Sequence, residues 1–315
     1  MQHNPSNPNK QNRQILRSQN NENRIVAALD VGSNSVRLLV ARACGGVFMP
    51  VFTDRISSRL YENAQDGWLD SASIARTKRA IRQLSEAARE HGAQAVWGFG
   101  TSAMRDGRNS HELIEDAARH GVELEILSGF QEAEICYRGA APEGEAGIID
   151  IGGGSTELVA GEHGVPMALG SAQMGAVRLK GMLDGVEDKR KMREQALIAL
   201  LPAWERVKDR YVERFIGLGG TITTLAAIQL GLKAYDPIAI ENERITAHMT
   251  GRMLDHIVSL DMDARKRIPG MDAARADILP YGLAILCAFF ELSGAEAVYA
   301  CDRDNLVGYL MKKMG

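Results

Sequence analysis

Cysteine is scarce in this chain, and its placement excludes joint chemistry: Cys44, Cys136, Cys287 and Cys301 contain no C-x-x-C pair. A thiolate zinc knuckle or a redox pair is therefore not expected, and four reduced thiols in a cytoplasmic setting are. Seven histidines provide no H-E-x-x-H spacing, which removes support for a zinc hydrolase. No apolar run reaches the about 20 residues that a bilayer requires. The longest, Ile278 to Phe290, is interrupted by Pro280 and is expected as a buried helix, with no membrane partner. Charge of one sign is not in excess either: 37 Lys and Arg against 40 Asp and Glu leave a net charge of -3. Without a global positive field, nucleic acid is not an expected partner, and a phosphate-rich ligand would need a local cleft. No Walker A lysine sequence occurs. Residues 1–23 hold seven Asn and four Gln without an apolar core, so they are expected to form a flexible tail rather than a signal peptide.

What remains is ordinary for a globular enzyme: 315 residues, 45% hydrophobic and 24% charged, enough for two cores. From Arg24 the apolar runs Ile25 to Leu29 and Val36 to Ala41 flank the turn Asp30-Val31-Gly32-Ser33-Asn34-Ser35, predicting strand, tight turn and strand. A helix capped by Ser71 or Ser73 carries Ile74, Thr77, Ile81, Leu84 and Ala88 on one face and ends at Gly92. Strands near Ala95 to Phe99 and Val122 to Leu127 flank a helix from Ser110 to His120. Further on, helices are expected over Asp188 to Tyr211, Ile245 to Leu260, Arg275 to Leu292 and Asp304 to Met314, with strands at Arg214 to Gly217 and Ala297 to Ala300. Strands alternating with helices define an α/β layered protein.

The strand at Gly147 to Ile149 runs into Asp150-Ile151-Gly152-Gly153-Gly154-Ser155-Thr156-Glu157-Leu158. Laid over the first turn without a gap, Asp30 meets Asp150, Gly32 meets Gly152, Ser35 meets Ser155 and Leu38 meets Leu158. A strand, Asp-x-Gly turn and strand opening two successive halves predicts a duplicated domain with a cleft between the copies. Such turns aim backbone N–H groups into one concavity, which can hold a phosphate. Either turn alone reads equally well as a β-hairpin; the duplication favours the ligand. Asp150 and Glu157 add hard oxygen donors of the kind Mg²⁺ takes, although an acid on a strand more often faces water. A dinucleotide fingerprint is excluded at Gly152 to Gly154, because a strand rather than a helix follows. The basic run Lys189-Arg190-Lys191-Arg193 reads as a solvated helix face.

Six stretches, in this order, carry a family resemblance: Leu29 to Ser35, Gly100 to Arg105, Ser128 to Ala133, Ile149 to Leu158, Met174 to Leu179 and Gly217 to Thr221. Together they resemble the exopolyphosphatase and guanosine pentaphosphate phosphohydrolase family, within the actin, sugar kinase and heat-shock chaperone superfamily. The resemblance runs from about Ile25 to Leu310. It implies an α/β fold of two actin-like (ribonuclease H-like) domains: 24–130 plus 302–315, and 131–301. It further implies hydrolysis of a terminal phosphate from polyphosphate or guanosine pentaphosphate with Mg²⁺. Glu132 would be the catalytic base and Arg105 a phosphate clamp. Asp30, Gly32, Ser33, Asn34 and Ser35 would form the first phosphate loop, and Gly152, Gly153, Gly154, Ser155 and Thr156 the second. Gly219, Gly220 and Thr221 are expected to add phosphate contacts, with Asp150 and Glu157 as the magnesium carboxylates.

The chain departs from the family's frequent Glu-Glu-Ala-Arg at Gln131-Glu132-Ala133-Glu134. The base survives while its neighbours change, which bears on substrate affinity and on the local pKa. The sequence ends soon after the second domain, like the short members, whose last helix crosses back to the first domain. A homodimer is expected by family analogy alone. Two other readings stay open here: an ATPase or kinase using the same loops, and a non-catalytic sensor of guanosine tetra- or pentaphosphate.

Overall fold

A computed structural model describes residues 24–140, 142–303 and 305–315; the expected tail over 1–23 and the expected helix start at Asp304 lie outside them. The first half contains strands β1 (Arg24–Val31), β2 (Ser35–Cys44) and β3 (Val47–Ser57), then α1 (Ser71–Glu90), β4 (Val96–Gly100), α2 (Ser102–Asp106), α3 (His111–Arg119), β5 (Glu123–Ile126) and α4 (Gly129–Ala140). The second half opens with β6 (Glu145–Ile151), β7 (Thr156–Glu162) and β8 (Val165–Ala172). It continues with α5 (Ala176–Met182), α6 (Lys189–Trp204), β9 (Arg214–Leu218), α7 (Gly219–Gln229), α8 (Pro237–Ile240), β10 (Arg244–Thr246), α9 (Ala247–Val258), α10 (Met262–Lys266), α11 (Leu279–Ser293), β11 (Ala297–Ala300) and α12 (Asn305–Met314).

The duplication read from the two Asp-x-Gly turns extends to topology. The first sheet has the order β3-β2-β1-β4-β5 and the second β10-β11-β9-β6-β7-β8. Each half thus folds a three-strand antiparallel meander and adds two strands parallel to the meander's first. Only β10 has no counterpart. The outer strands β3 and β8 were not foreseen, because their apolar residues do not alternate cleanly against a buried face: Val47, Met49 and Val51, and again Val165 and Met167, are exposed.

Local chemistry sets most element ends. Asp70, rather than Ser71 or Ser73, caps α1 by accepting from Ser73 N, and the five apolar-face residues expected of this helix are all buried. Helix α6 stops at Trp204 instead of Tyr211, with Pro202 in its last turn; Pro202 has no N–H to donate to the Ile198 carbonyl, and the chain beyond tightens into turns, with Val207 N donating to Trp204 O at 2.9 Å. Pro280 sits in the first turn of α11, the one place where its missing N–H costs nothing. The helix therefore begins at Leu279, not Arg275, and is buried along most of its length.

Two helices join the halves. Leu306, Tyr309 and Leu310 of α12 share a core with Val26, Ala28 and Phe99 of the first sheet and Ile135 of α4. The other face of α4, with Ala133, Cys136, Tyr137 and Ala140, packs on Ala146, Ile148 and Val159 of the second sheet. The expected division near residue 130 therefore falls at the start of a helix shared by both halves. Gly308 lies so close to the Ile135 carbonyl that a Cβ would not fit. Among the described residues no helix is long and apolar enough to cross a membrane.

Candidate active site

Each turn closes in the same way. Gly32 N donates to Ser35 O at 3.0 Å, and Gly152 N donates to Ser155 O at 3.0 Å. These bonds tie each loop at its base and leave the intervening residues at the inter-sheet pocket. A cavity of ≈ 90 Å³ is lined by both loops, by Asp30, Asp150 and Glu132, and by Gly219, Gly220 and Thr221 at the start of α7. Room for a few water-sized groups suits a phosphoryl group better than an extended ligand. The fit is close: a Cβ on Gly153 would stand 2.9 Å from Ser33 Cβ, and one on Gly154 2.8 Å from Ser102 Cβ. Glycine is required here by approach of the two halves, not by backbone conformation.

Glu132 lies in the first turn of α4 and is buried, with 8% of its side chain exposed. Arg105, carried by α2, donates from Nη1 to Glu132 Oε2 at 2.6 Å and to the Leu127 carbonyl at 2.9 Å, and from Nη2 to Ser155 Oγ at 3.3 Å. One guanidinium thereby ties the candidate base to the second phosphate loop. Burial raises the Glu132 carboxyl to about 7. Arg105 pulls it down, while Asp30 and Asp150 push it up. A carboxyl poised there is suited to take a proton near neutral pH.

Behind it lies a second acid. Glu157 pairs with Asp150 across β6 and β7 and is 1% exposed. Ser171 Oγ donates to its Oε1 at 2.9 Å, and its Oε2 is buried with no hydrogen-bond partner. Burial first, and then Glu132 and Asp150, lift its carboxyl well above the ordinary range. Cys136, one turn beyond Glu132 on α4, donates from Sγ to Asp150 Oδ2 at 3.1 Å. Its thiol is pushed up by burial and by the same acids, which makes it a donor rather than a nucleophile.

Three buried carboxylates and an oxygen without a donor fit a hard cation. No three His, Cys, Asp or Glu side chains among the described residues close into a ready-made cation cage. An Mg²⁺ ion here would complete its shell with phosphate oxygens and water, as that ion commonly does. Glu157 does not itself line the cavity and would act from behind Asp150.

The expected residues thus divide. Asp30, Gly32, Ser33, Asn34, Ser35, Glu132, Asp150, Gly152, Gly153, Gly154, Ser155, Gly219, Gly220 and Thr221 all line one cavity. Arg105 and Glu157 stand one contact back. Thr156 is fully buried and its Oγ1 donates to the Met174 carbonyl at 2.6 Å, so its side chain supports the loop from beneath rather than facing the pocket. Lys189, Arg190, Lys191 and Arg193 are exposed on α6, with Lys189 on Asp255 and Arg193 on Glu291, away from the cavity.

Eight lining residues lie outside the expected site, and Arg37, Arg275 and Asn305 are the ones with charged or amide side chains. Arg37 donates to Asp30 Oδ2 at 2.5 Å and to Asn305 Oδ1 at 2.7 Å. Arg275 lies against Gly220, where no Cβ would fit; burial, then Arg55, lower its pKa to about 10. These two guanidiniums face the pocket from opposite halves and can neutralise the oxygens of an anionic ligand. A signal for Arg37 was available, since it is the one charge in the apolar run Val36 to Ala41 and the repeat places it on Glu157. Asn305 and Arg275 lie 268 and 238 residues from Arg37 in sequence, and nothing local marks them.

The departures from the family pattern do not reach the cavity. Gln131 Oε1 accepts from Ser128 N at 2.9 Å while Ser128 Oγ accepts from Gln131 N at 3.3 Å, a capping box at the start of α4. Glu134 accepts from Arg138 one turn on.

Two duplicated halves around a phosphate-sized, acid-lined cleft define an actin-like two-domain enzyme. Residues 39–312 match the model of the Ppx/GppA phosphatase family, and the chain belongs to that family of hydrolases. It is 31% identical over 318 residues to exopolyphosphatase 2 of Mycobacterium tuberculosis, covering 92% of this chain and 98% of that protein. It is also 31% identical over 287 residues to the guanosine-5'-triphosphate,3'-diphosphate pyrophosphatase of Aeromonas hydrophila. There the match covers 87% of this chain but 56% of the relative. Among solved structures, a Ppx/GppA family member from Aquifex aeolicus superposes with a TM-score of 0.76 at 26% identity, over 92% of this chain and 97% of that one. An exopolyphosphatase from Cytophaga hutchinsonii has a TM-score of 0.82 at 21% identity, over 92% and 98%, and shows the shared fold.

Proposed function

We propose that the chain is a magnesium-dependent exophosphohydrolase that releases the terminal phosphate of inorganic polyphosphate, guanosine pentaphosphate or both, with Glu132 as the general base. The observation that carries this reading is Glu132 itself: a buried carboxyl, raised to about 7, lining the cavity and held by the arginine that also reaches the second phosphate loop. The names of the two relatives support the substrate class.

In the proposed reaction the backbone N–H groups of the two loops receive the terminal phosphoryl oxygens. Asp150, backed by Glu157, would hold magnesium, which when bound supplies charge neutralisation at the phosphoanhydride. Glu132 orients a water and accepts its proton as the O–P bond forms and the bridging oxygen leaves with the shorter chain. Arg105 keeps the Glu132 carboxylate aimed at the loop and stabilises it once ionised. Arg37 and Arg275 take the oxygens of the phosphates that remain on the leaving group. No residue needs to become phosphorylated.

The sensor reading draws nothing from the departures at Gln131 and Glu134, whose side chains bond Ser128 and Arg138. The test is phosphate release with Mg²⁺ from long polyphosphate, guanosine pentaphosphate and ATP in parallel, on wild type and Glu132→Ala. Release from either of the first two that is lost in the variant is expected; near wild-type release from the variant would remove Glu132 as base. Release from ATP alone would favour an ATPase.

A further inference from the structure

Arg178 lies in the stretch Met174 to Leu179, which the reaction above leaves without a task, yet it makes contacts on both sides of the cleft. It belongs to α5, a helix fastened to the second phosphate loop. Ala176 N donates to Gly152 O at 3.0 Å, Val177 N to Gly153 O at 2.8 Å and Arg178 N to Gly153 O at 3.0 Å. The first N–H groups of α5 are thus consumed by the loop's own carbonyls, and Gly175 admits this contact because a Cβ there would strike Gly153 and Gly154. The side chain completes the attachment, with Nε donating to Gly154 O at 2.7 Å.

The other end of the same guanidinium reaches the opposite half. Nη2 donates to Ser102 Oγ at 2.8 Å and to Asp106 Oδ2, the first and last residues of α2, which carries Arg105. Its Cζ lies 5.1 Å from the ring centroid of Tyr61, also in the first half. The group is largely shielded, with 18% of its side chain exposed, so its ion pair is screened less by water than a surface pair.

We propose that Arg178 is a positioning residue that latches the cleft: it fixes the second phosphate loop to α2 so that Arg105, Ser155 and Glu132 come into register only when the halves are closed. Nε serves one acceptor and Nη2 two, a division that needs a planar head with more than one donor nitrogen. A lysine could keep the attraction to Asp106 but not the whole arrangement. The inference uses the site described above as its setting, and its readout does not depend on which substrate is turned over.

The experiment measures cleft geometry directly. Spin labels are placed at exposed Glu86 and Glu194, one in each half, with Cys44 replaced by serine, and the distance distribution is recorded for wild type, Arg178→Lys and Arg178→Ala, with and without inorganic phosphate. A narrow distribution in wild type, a broad or displaced one in Arg178→Ala and an intermediate one in Arg178→Lys are expected. With melting temperature unchanged, kcat/KM for phosphate release should fall at least tenfold in Arg178→Ala, because small misplacements of positioned groups cost up to about a hundredfold. Identical distributions in all three proteins would overturn the latch, whatever the activity. Absence of turnover in wild type with the expected distributions would overturn the reaction and leave the latch standing.

Discussion

At the residue scale the proposed base, Glu132, sets the pH response expected of the chain. Its pKa in the folded protein, about 7, lies above the usual value of about 4.3. The folded state therefore holds this proton more tightly than the unfolded chain. The associated stability is fully present below the unfolded value and is lost as pH rises through about 7. In metal-free protein the melting temperature should fall across that window, and Glu132→Gln should reduce the fall without abolishing it, because Glu157 is shifted in the same direction. Catalysis should run the opposite way, kcat/KM rising with pH as the base ionises, with bound magnesium moving the midpoint downward by its charge. A rate independent of pH between about 5 and 8 would argue against a carboxyl base of raised pKa. Much of this site was legible: Asp30, Asp150 and the glycine turns announce themselves by type and spacing. The charge state of Glu132 was not, because its burial is created by α4 lying between two sheets that meet only in three dimensions.

At the element scale α4 combines two tasks on one surface. Its inward face carries Glu132 and Cys136, one turn apart, and its N-terminus is closed by Gln131 and Ser128. Gln131→Ala should therefore cost about 1 kcal/mol of stability, the usual value of a lost cap, and leave kcat within about twofold of wild type. Thermal denaturation and phosphate release on the same preparation check both halves of that statement. A large loss of turnover with little loss of stability would return Gln131 to the substrate. The longer helices followed from periodicity, whereas β3, β8 and the short helices α2, α5, α8 and α10 did not: an outer strand with exposed Val47, Met49 or Val165 lacks burial contrast, and a helix of four to seven residues is too short to show a repeat. Where a single proline or cap decides a helix end, as Pro280 and Asp70 do, the apolar pattern alone misplaces it.

At the scale of the whole molecule, the cleft gathers acids whose ionisation burial opposes. Asp30, Glu132, Asp150 and Glu157 converge between the halves, so a divalent cation should stabilise the entire chain as well as enable its reaction. Binding to the folded state alone contributes about 2.7 kcal/mol at a hundredfold excess over Kd, and Mg²⁺ should raise the melting temperature by several degrees. Glu157→Ala should shift the magnesium titration of the melting temperature to higher concentration. An unchanged titration would remove Glu157 from the metal's surroundings. The two-domain plan was legible from one repeat distance of 120 residues. The clasp across the cleft was not, because Arg178 and Asp106 are 72 residues apart and only folding makes them neighbours.

That repeat also carries an inversion. Position 37 in the first meander and position 157 in the second are equivalent, each facing the aspartate that opens its turn, yet one is arginine and the other glutamate. Two copies of one hairpin have in this way become electrical opposites, the first pairing its aspartate with an arginine and the second placing a glutamate beside it. Under the proposed reaction, phosphate oxygens would be drawn to the Arg37 side of the cradle and a cation to the Glu157 side.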